Sequence, residues 1–522
     1  MLNFFQRKKT IYGTGRWAYA YEKHKVLSRK NTGVCIDGKR SLSSEKSNHH
    51  SVFFGKSGVG KSMILVNTIL NRTNSAESGS MVITDPSAEQ YLMTAPYLRS
   101  IGYTVRCFNL MDLEPFSRLS EDDYSYAYHT YPELLQTSSS FNPLHRVHTI
   151  DEIEEVGEMF VEAKYSDASG SDQFWNTGAT KIINLFITAL ASEKNNPSYQ
   201  FHLPKTPSSI LYLIEQYAAN ITELRQRMED LLNARAYMSF ESFMGQEKKI
   251  ISGMLSTAET VMRDFVKEKI HNVTETDTLQ FEDLRTKPTA IFITVSSGQV
   301  RTYEFILSLL YTQIFNYCEK TQGGKQVYFL LDETANCGKI KDFAIKASTL
   351  RKFNVSITII VQYLKQLRRL YGTNDTEEIL ENISSKLFFS GLGLEASEYV
   401  SKVLGDQTTS KSEQSFTKEG ETAATRSVET GRRLLTADEV RCLPKNKAIF
   451  IHDNVRPMKL TTSPLYNHKK NKRKVGVARG LEIIKRIREP EKKSIDKRNK
   501  NSNILRFINT IPLIRAIKST KT

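Results

Sequence analysis

The chain has 522 residues with a formal net charge of +16, and hydrophobic side chains make up 39% of it. That length and apolar content exclude a disordered protein or one small core, and point to two folded units plus tails. The five cysteines (Cys35, Cys107, Cys318, Cys337 and Cys442) are far apart with no CxxC pair, so a reducing cytoplasm is expected rather than a disulfide framework or zinc site.

The charge is unevenly placed. Residues 467–522 hold 18 Lys and Arg against 4 Asp and Glu, so the rest of the chain is close to neutral. A basic tail of this kind suits nucleic acid, an anionic membrane surface or an acidic partner. Within it Ile504, Ile508 and Ile511 recur at helical spacing among basic residues, a pattern that fits a membrane surface or a partner protein. No apolar run approaches the roughly 18 residues of a membrane helix, and Met1–Lys9 is too short in apolar residues for a signal peptide. The expectation is a cytoplasmic protein, peripheral at the inner face of the cell membrane.

In chain order, residues 1–48 form a mixed, glycine-punctuated lead-in. From 49 to 145 short apolar runs alternate with helical stretches. Strands are expected at Ser51–Phe54, Met81–Asp85 and Thr104–Leu110, and a helix at Lys61–Thr73. Residues 146–280 are helical almost throughout, which predicts an all-α domain inserted into the α/β rhythm. The rhythm resumes over 281–466, with strands at Ala290–Val295, Val327–Glu333, Ser356–Gln362, Lys386–Ser390 and Ala448–Asp453. Alternation of this kind predicts a parallel sheet with helices on both faces. The polar stretch Asp406–Gly431 reads as a flexible surface loop, and 467–522 as the basic tail.

Two patterns carry chemistry. Gly55-Lys56-Ser57-Gly58-Val59-Gly60-Lys61-Ser62 matches G-x-x-x-x-G-K-[ST] between an apolar strand and a helix. Glycines there let successive backbone N–H groups face a phosphate, Lys61 reaches the β- and γ-phosphates of ATP, and the Ser62 hydroxyl ligates Mg2+. The second is the apolar run Val327–Leu331 ending in Asp332 and Glu333. Two adjacent acids at a buried strand end need a cation; Asp332 suits Mg2+ and Glu333 an attacking water. Gln362 ends the next strand and is expected beside Asp332, where it can sense the γ-phosphate. Arg351 lies on the helix between those strands; it fits either an ordinary surface arginine or, in a ring-shaped motor, a cation that acts on a neighbouring subunit's γ-phosphate.

In this order the motifs resemble the type IV coupling proteins, TraG-like members of the hexameric RecA-like pump superfamily. The resemblance runs from about Tyr12 to Tyr466. It rests on Tyr12-Gly13-Thr14-Gly15-Arg16-Trp17-Ala18, the phosphate loop, Thr84-Asp85-Pro86 with Glu89, Asn142-Pro143-Leu144 and Phe174-Trp175. It continues through Leu331-Asp332-Glu333, Gly338-Lys339-Ile340, Leu350-Arg351, Gln362 with Gln366-Leu367, Tyr371-Gly372, Leu434–Val440 and Arg456-Pro457. It implies an α/β fold: a P-loop RecA-like nucleotide-binding domain with an inserted all-α domain and a basic tail. It further implies an ATPase that forms a homo-hexamer and passes single- or double-stranded DNA through its centre. The partners it implies are a relaxase or relaxosome and type IV secretion channel proteins. Arg351 then resembles the arginine that acts in trans. Two departures stand out: the family's transmembrane hairpin is not seen, so that either a membrane-anchoring partner is needed or the protein works unanchored, and Ser87-Ala88 stand where the family has Lys-Gly. A DNA packaging or segregation motor, or a nucleotide-binding substrate receptor with little hydrolysis, are the alternative readings.

Overall fold

The computed structural model describes residues 12–72, 78–165, 171–195, 202–296, 298–334, 337–416, 422–463, 465 and 469–488. The described strands are, in chain order, β1 Ser51–Phe54, β2 Ser80–Thr84, β3 Thr104–Asn109, β4 Thr289–Thr294, β5 Val327–Leu331 and β6 Val355–Val361. They continue with β7 Ser385–Phe389, β8 Asp406–Phe416, β9 Thr422–Arg433, β10 Lys447–His452 and β11 Val455–Thr461. Each run predicted from apolar content forms a strand within a residue or two of its expected bounds.

The chain divides into two units, the first made of residues up to Thr84, Glu282–Thr289 and Tyr311–Lys472. Its sheet has the order β11-β10-β7-β1-β6-β5-β2. From β7 to β2 every pairing is parallel, while β10 and β11 close the far end antiparallel. Strands β1, β2, β5 and β6 are buried along their whole length, as continuous apolar runs covered on both faces must be. Because β1, β5, β6 and β7 run the same way, the segments that leave them share one edge of the sheet. In open α/β sheets that carboxyl edge is where ligands bind.

The stretch expected to be a loop is instead the antiparallel hairpin β8–β9, in register from Asp406 opposite Arg433 to Phe416 opposite Thr422. Its Thr-rich composition reads as polar, yet Thr favours the pleated backbone. The hairpin base is gripped by the N-terminal glycine motif: Gly15 N–H donates to Asp406 O at 2.8 Å, and a Cβ on Gly13 would lie 2.3 Å from that oxygen.

Among the described residues, the second unit comprises Asp85–Phe281, Ala290–Leu310 and the chain from Arg473 to Arg488. It holds the expected helical region as Ile150–Lys164, Ser171–Leu190, Pro207–Ala219, Ile221–Leu231, Ala234–Met244 and Lys248–Met262. The starts are set by local chemistry: Thr149 and Glu152 form a capping box, and Asn220 and Asn233 accept from the N–H groups of Glu223 and Ala236. Helix Lys248–Met262 approaches Ser171–Leu190 so closely that a Cβ on Gly253 would lie 2.5 Å from the Trp175 ring. The unit is larger than the expected insertion of 146–280. It takes in 85–145 and 290–310 as well, because β3 neighbours β4 and Phe141 N–H donates to Val273 O at 2.7 Å.

The first part of the expected basic tail is also structured. Val477–Arg488 is a helix that buries Val477, Gly480, Ile483 and Ile484. A Cβ on Gly480 would lie 2.3 Å from Leu92 O, which brings this helix against Glu89–Ser100. Arg479 and Arg486 pair with the buried Asp123. The dense basic charge of 467–522 masks this stripe, whose buried residues Val477, Gly480, Ile483 and Ile484 recur at helical spacing. The predicted helix around Ile504–Ile511 lies outside the described residues.

Candidate nucleotide-binding site

The site lies within the first unit, at the carboxyl edge of its sheet. The loop Gly55–Gly60 leaves β1 and ends at the helix Lys61–Leu70, whose N-cap is Gly60 with φ +95° and no side-chain cap. The leading N–H groups of that helix therefore have no side chain to receive them, which is the state an anion requires. Gly58 also has φ +80°, with nothing within 4 Å of where a Cβ would point. The left-handed backbone rather than crowding is what glycine supplies there.

Lys61 is buried, and its Nζ donates to Lys56 O at 2.6 Å across the loop. Burial lowers its pKa, while the nearby charges of Asp332 and Glu333 hold it up. Asp332 follows β5, two strands from β1, and hydrogen-bonds the Ser62 hydroxyl. Its carboxyl is pushed up to about 6 by burial, with Ser62 and Lys61 opposing the shift. The Ser62 hydroxyl and the Asp332 carboxylate are the residues that would hold a divalent cation, whose charge would offset the burial of that carboxylate, so the donor set fits Mg2+.

Glu333 has φ +60°, a left-handed backbone that non-glycine residues rarely adopt. That turn swings its carboxylate toward β6, where Gln362 Nε2 donates to Glu333 Oε1 at 2.6 Å. The sequence places Gln362 beside Asp332; the structure puts its amide on the adjacent carboxylate. The reason is the reversed backbone at Glu333, which composition does not reveal.

Arg351 is not brought to this cluster. It sits in the short 3-10 turn Leu350–Phe353 just before β6 and is exposed. It therefore lies at the amino edge of the sheet, seven residues of strand (about 23 Å) from Gln362. Its charge is felt there by His50, which precedes β1. The residues that sequence reasoning passed over are Tyr363, Lys365 and Arg369, which follow Gln362 and line a cleft beside it. The signal available was the polar run after an apolar strand, a weak one on its own.

The family model for type IV secretory system conjugative DNA transfer matches residues 127–494. Protein VirD4 of Rhizobium radiobacter is 23% identical over 90% of this chain and 66% of its own length. Conjugal transfer protein TraG of Agrobacterium fabrum is 22% identical over 73% of this chain and 53% of its own. Between 59% and 66% of the length of the VirD4 relatives is spanned by this chain. Among solved structures, the bacterial conjugative coupling protein TrwBdeltaN70 aligns with a TM-score of 0.63 at 16% identity, over 87% of this chain and 94% of that one. Plasmid coupling protein TrwB in complex with ADP and Mg2+ aligns with a TM-score of 0.62 at 14% identity, over the same shares. The shared fold is thus a P-loop α/β domain with a helical domain, as expected. No described helix is long and apolar enough to cross a membrane.

Proposed function

Since the chain belongs to the family of type IV secretory system conjugative DNA transfer proteins, we propose that it is the ATP-driven coupling protein of a conjugation apparatus. In this reading it moves relaxase-bound DNA into a type IV secretion channel. The observation that carries the proposal is the cluster at the carboxyl edge: an uncapped helix start, a buried lysine, and Asp332 on Ser62 with Glu333 on Gln362. A TrwB structure is described as a complex with a non-hydrolysable ATP analogue, which supports ATP as the nucleotide.

Each residue then has a role. The N–H groups of Gly55–Ser62 cradle the phosphates, and Lys61 contacts the terminal ones. Ser62 and Asp332 hold Mg2+, which neutralises developing phosphate charge. Glu333 orients the attacking water and accepts its proton, and Gln362 fixes the carboxylate in place. Arg351, at the opposite edge of the sheet, cannot serve its own site. In a homo-hexamer it reaches the neighbour's γ-phosphate. The chain works at the inner face of the cell membrane, with the secretion channel proteins as its partners there.

The test is DNA transfer in a donor cell that depends on this chain. Lys61→Ala and Glu333→Gln are expected to abolish transfer while the protein accumulates normally. Transfer at the wild-type frequency in either variant overturns the proposal.

A further inference from the structure

Beside Gln362 lies a cleft of about 520 Å³ between the loop leaving β6 and the loop leaving β7. Its walls include Gln362, Tyr363, Lys365 and Arg369 on one side and Leu394 and Glu395 on the other. Tyr363 is 52% exposed and Leu394 67%, an unusual display of large apolar surface at the mouth of a cleft. Lys365 and Arg369 are both exposed. They stand four residues apart on helix Leu364–Asn382, so their side chains share one face about 5–6 Å apart. The one acid of the cleft, Glu395, is paired with Arg368, so Lys365 and Arg369 leave the cleft with surplus positive charge.

An exposed aromatic ring beside two outward cations is the composition that takes a nucleic-acid strand, bases on the ring and phosphates on the cations. The ring selects an unpaired strand, because a duplex hides its base faces in the stack. A purely apolar peptide would leave both cations unmatched. The position adds a consequence: Gln362 lines the cleft and also donates to Glu333 at 2.6 Å.

We propose that the cleft between residues 362–369 and 393–396 seats an unpaired DNA strand, with Tyr363 stacked on a base and Lys365 and Arg369 on its phosphates, and that its occupancy reaches Glu333 through Gln362. This rests on the ATPase reading above and deepens it by naming the residues that hold the DNA. The coupling follows from one shared side chain, since a strand that displaces the Gln362 amide changes the hold on the carboxylate.

The test uses the full chain and a fluorescein-labelled oligothymidylate, with a fluorescent ATP analogue titrated in parallel. Tyr363→Ala and the double variant Lys365→Glu/Arg369→Glu are each expected to raise the Kd for the oligonucleotide at least about tenfold. Loss of two phosphate contacts should also make the salt dependence shallower, by roughly 1.4 in slope. The milder Lys365→Gln/Arg369→Gln pair should show the same trend if charge reversal disturbs folding. Oligonucleotide binding and salt slope equal to wild type in these variants overturn the proposal. So does loss of the ATP analogue's binding in step with the DNA, which would assign the cleft to the nucleotide instead. A wild-type chain that binds the analogue but no oligonucleotide also overturns it and leaves the ATP site standing, whereas a chain that binds no nucleotide removes the ATPase reading.

Discussion

The two edges of the first unit's sheet treat charge in opposite ways. At the amino edge the buried guanidinium of Arg285 donates to three carbonyls, Lys325 O at 2.9 Å, Cys318 O at 2.8 Å and Phe353 O at 2.6 Å. Gln326 there donates to Ser44 O at 2.9 Å, and His50 Nδ1 accepts from Ile357 N–H at 3.1 Å. These bonds are made within the fold itself, so the job of these groups is stability, although Arg285 Nε and His50 Nε2 are buried without a hydrogen-bond partner among the described residues. At the carboxyl edge the helix start has no cap, a lysine and two acids are crowded together, and Glu333 holds a left-handed backbone. These features cost stability and make sense only if a phosphate and a cation complete them. The contrast separates binding site from scaffold without any ligand in view. Arg351 is the exception at the amino edge, an exposed cation for which we propose a role outside its own subunit.

Substitutions at the two edges should therefore fail differently. The largest effect belongs to the carboxyl edge: Lys61→Ala is expected to lower ATP turnover by about a thousandfold with the melting temperature nearly unchanged, read by a coupled hydrolysis assay and calorimetry. Next comes Arg351→Ala, with turnover falling by at least about a hundredfold. Mixing it with a Glu333→Gln chain should restore part of the activity, because some interfaces then join an intact Arg351 to an intact Glu333. No recovery on mixing would return Arg351 to an ordinary surface role. Arg285→Ala should do the reverse of Lys61→Ala, destabilising the fold by about 2–3 kcal/mol while nucleotide binding by the folded fraction persists.

The smallest effect is on pH dependence. Burial pushes the Asp332 carboxyl up to about 6, from 3.8. The native protein therefore holds this proton more tightly than the unfolded chain, and the stability it brings is present below about pH 4 and lost as pH rises through about 6. Mg2+ needs the ionised form, so thermal stabilisation by ATP and Mg2+ should shrink as pH falls through 6. Asp332→Asn should bind more weakly throughout and lack that step. A wild-type stabilisation flat between pH 5 and 7 contradicts the assignment of Asp332 as a metal ligand.

The carboxyl edge was legible in the sequence where its chemistry is local. Gly55–Ser62 and Leu331–Glu333 carry their meaning in consecutive residues, and parallel strand order then brings Ser62 to Asp332. The contact between Gln362 and Glu333 was not legible, because it depends on a φ of +60° at one residue. Hairpin β8–β9 and helix Val477–Arg488 were hidden for another reason. Their partners, the Gly13–Gly15 segment and the Leu92 backbone, are distant in the chain, and their polar or basic composition masks the few residues that pack.

The most direct measurement is steady-state ATP hydrolysis by the full chain, with and without single-stranded DNA, beside Glu333→Gln. The account predicts turnover that DNA stimulates, and a Glu333→Gln protein that still binds ATP but no longer hydrolyses it. Hydrolysis by Glu333→Gln at the wild-type rate would contradict it.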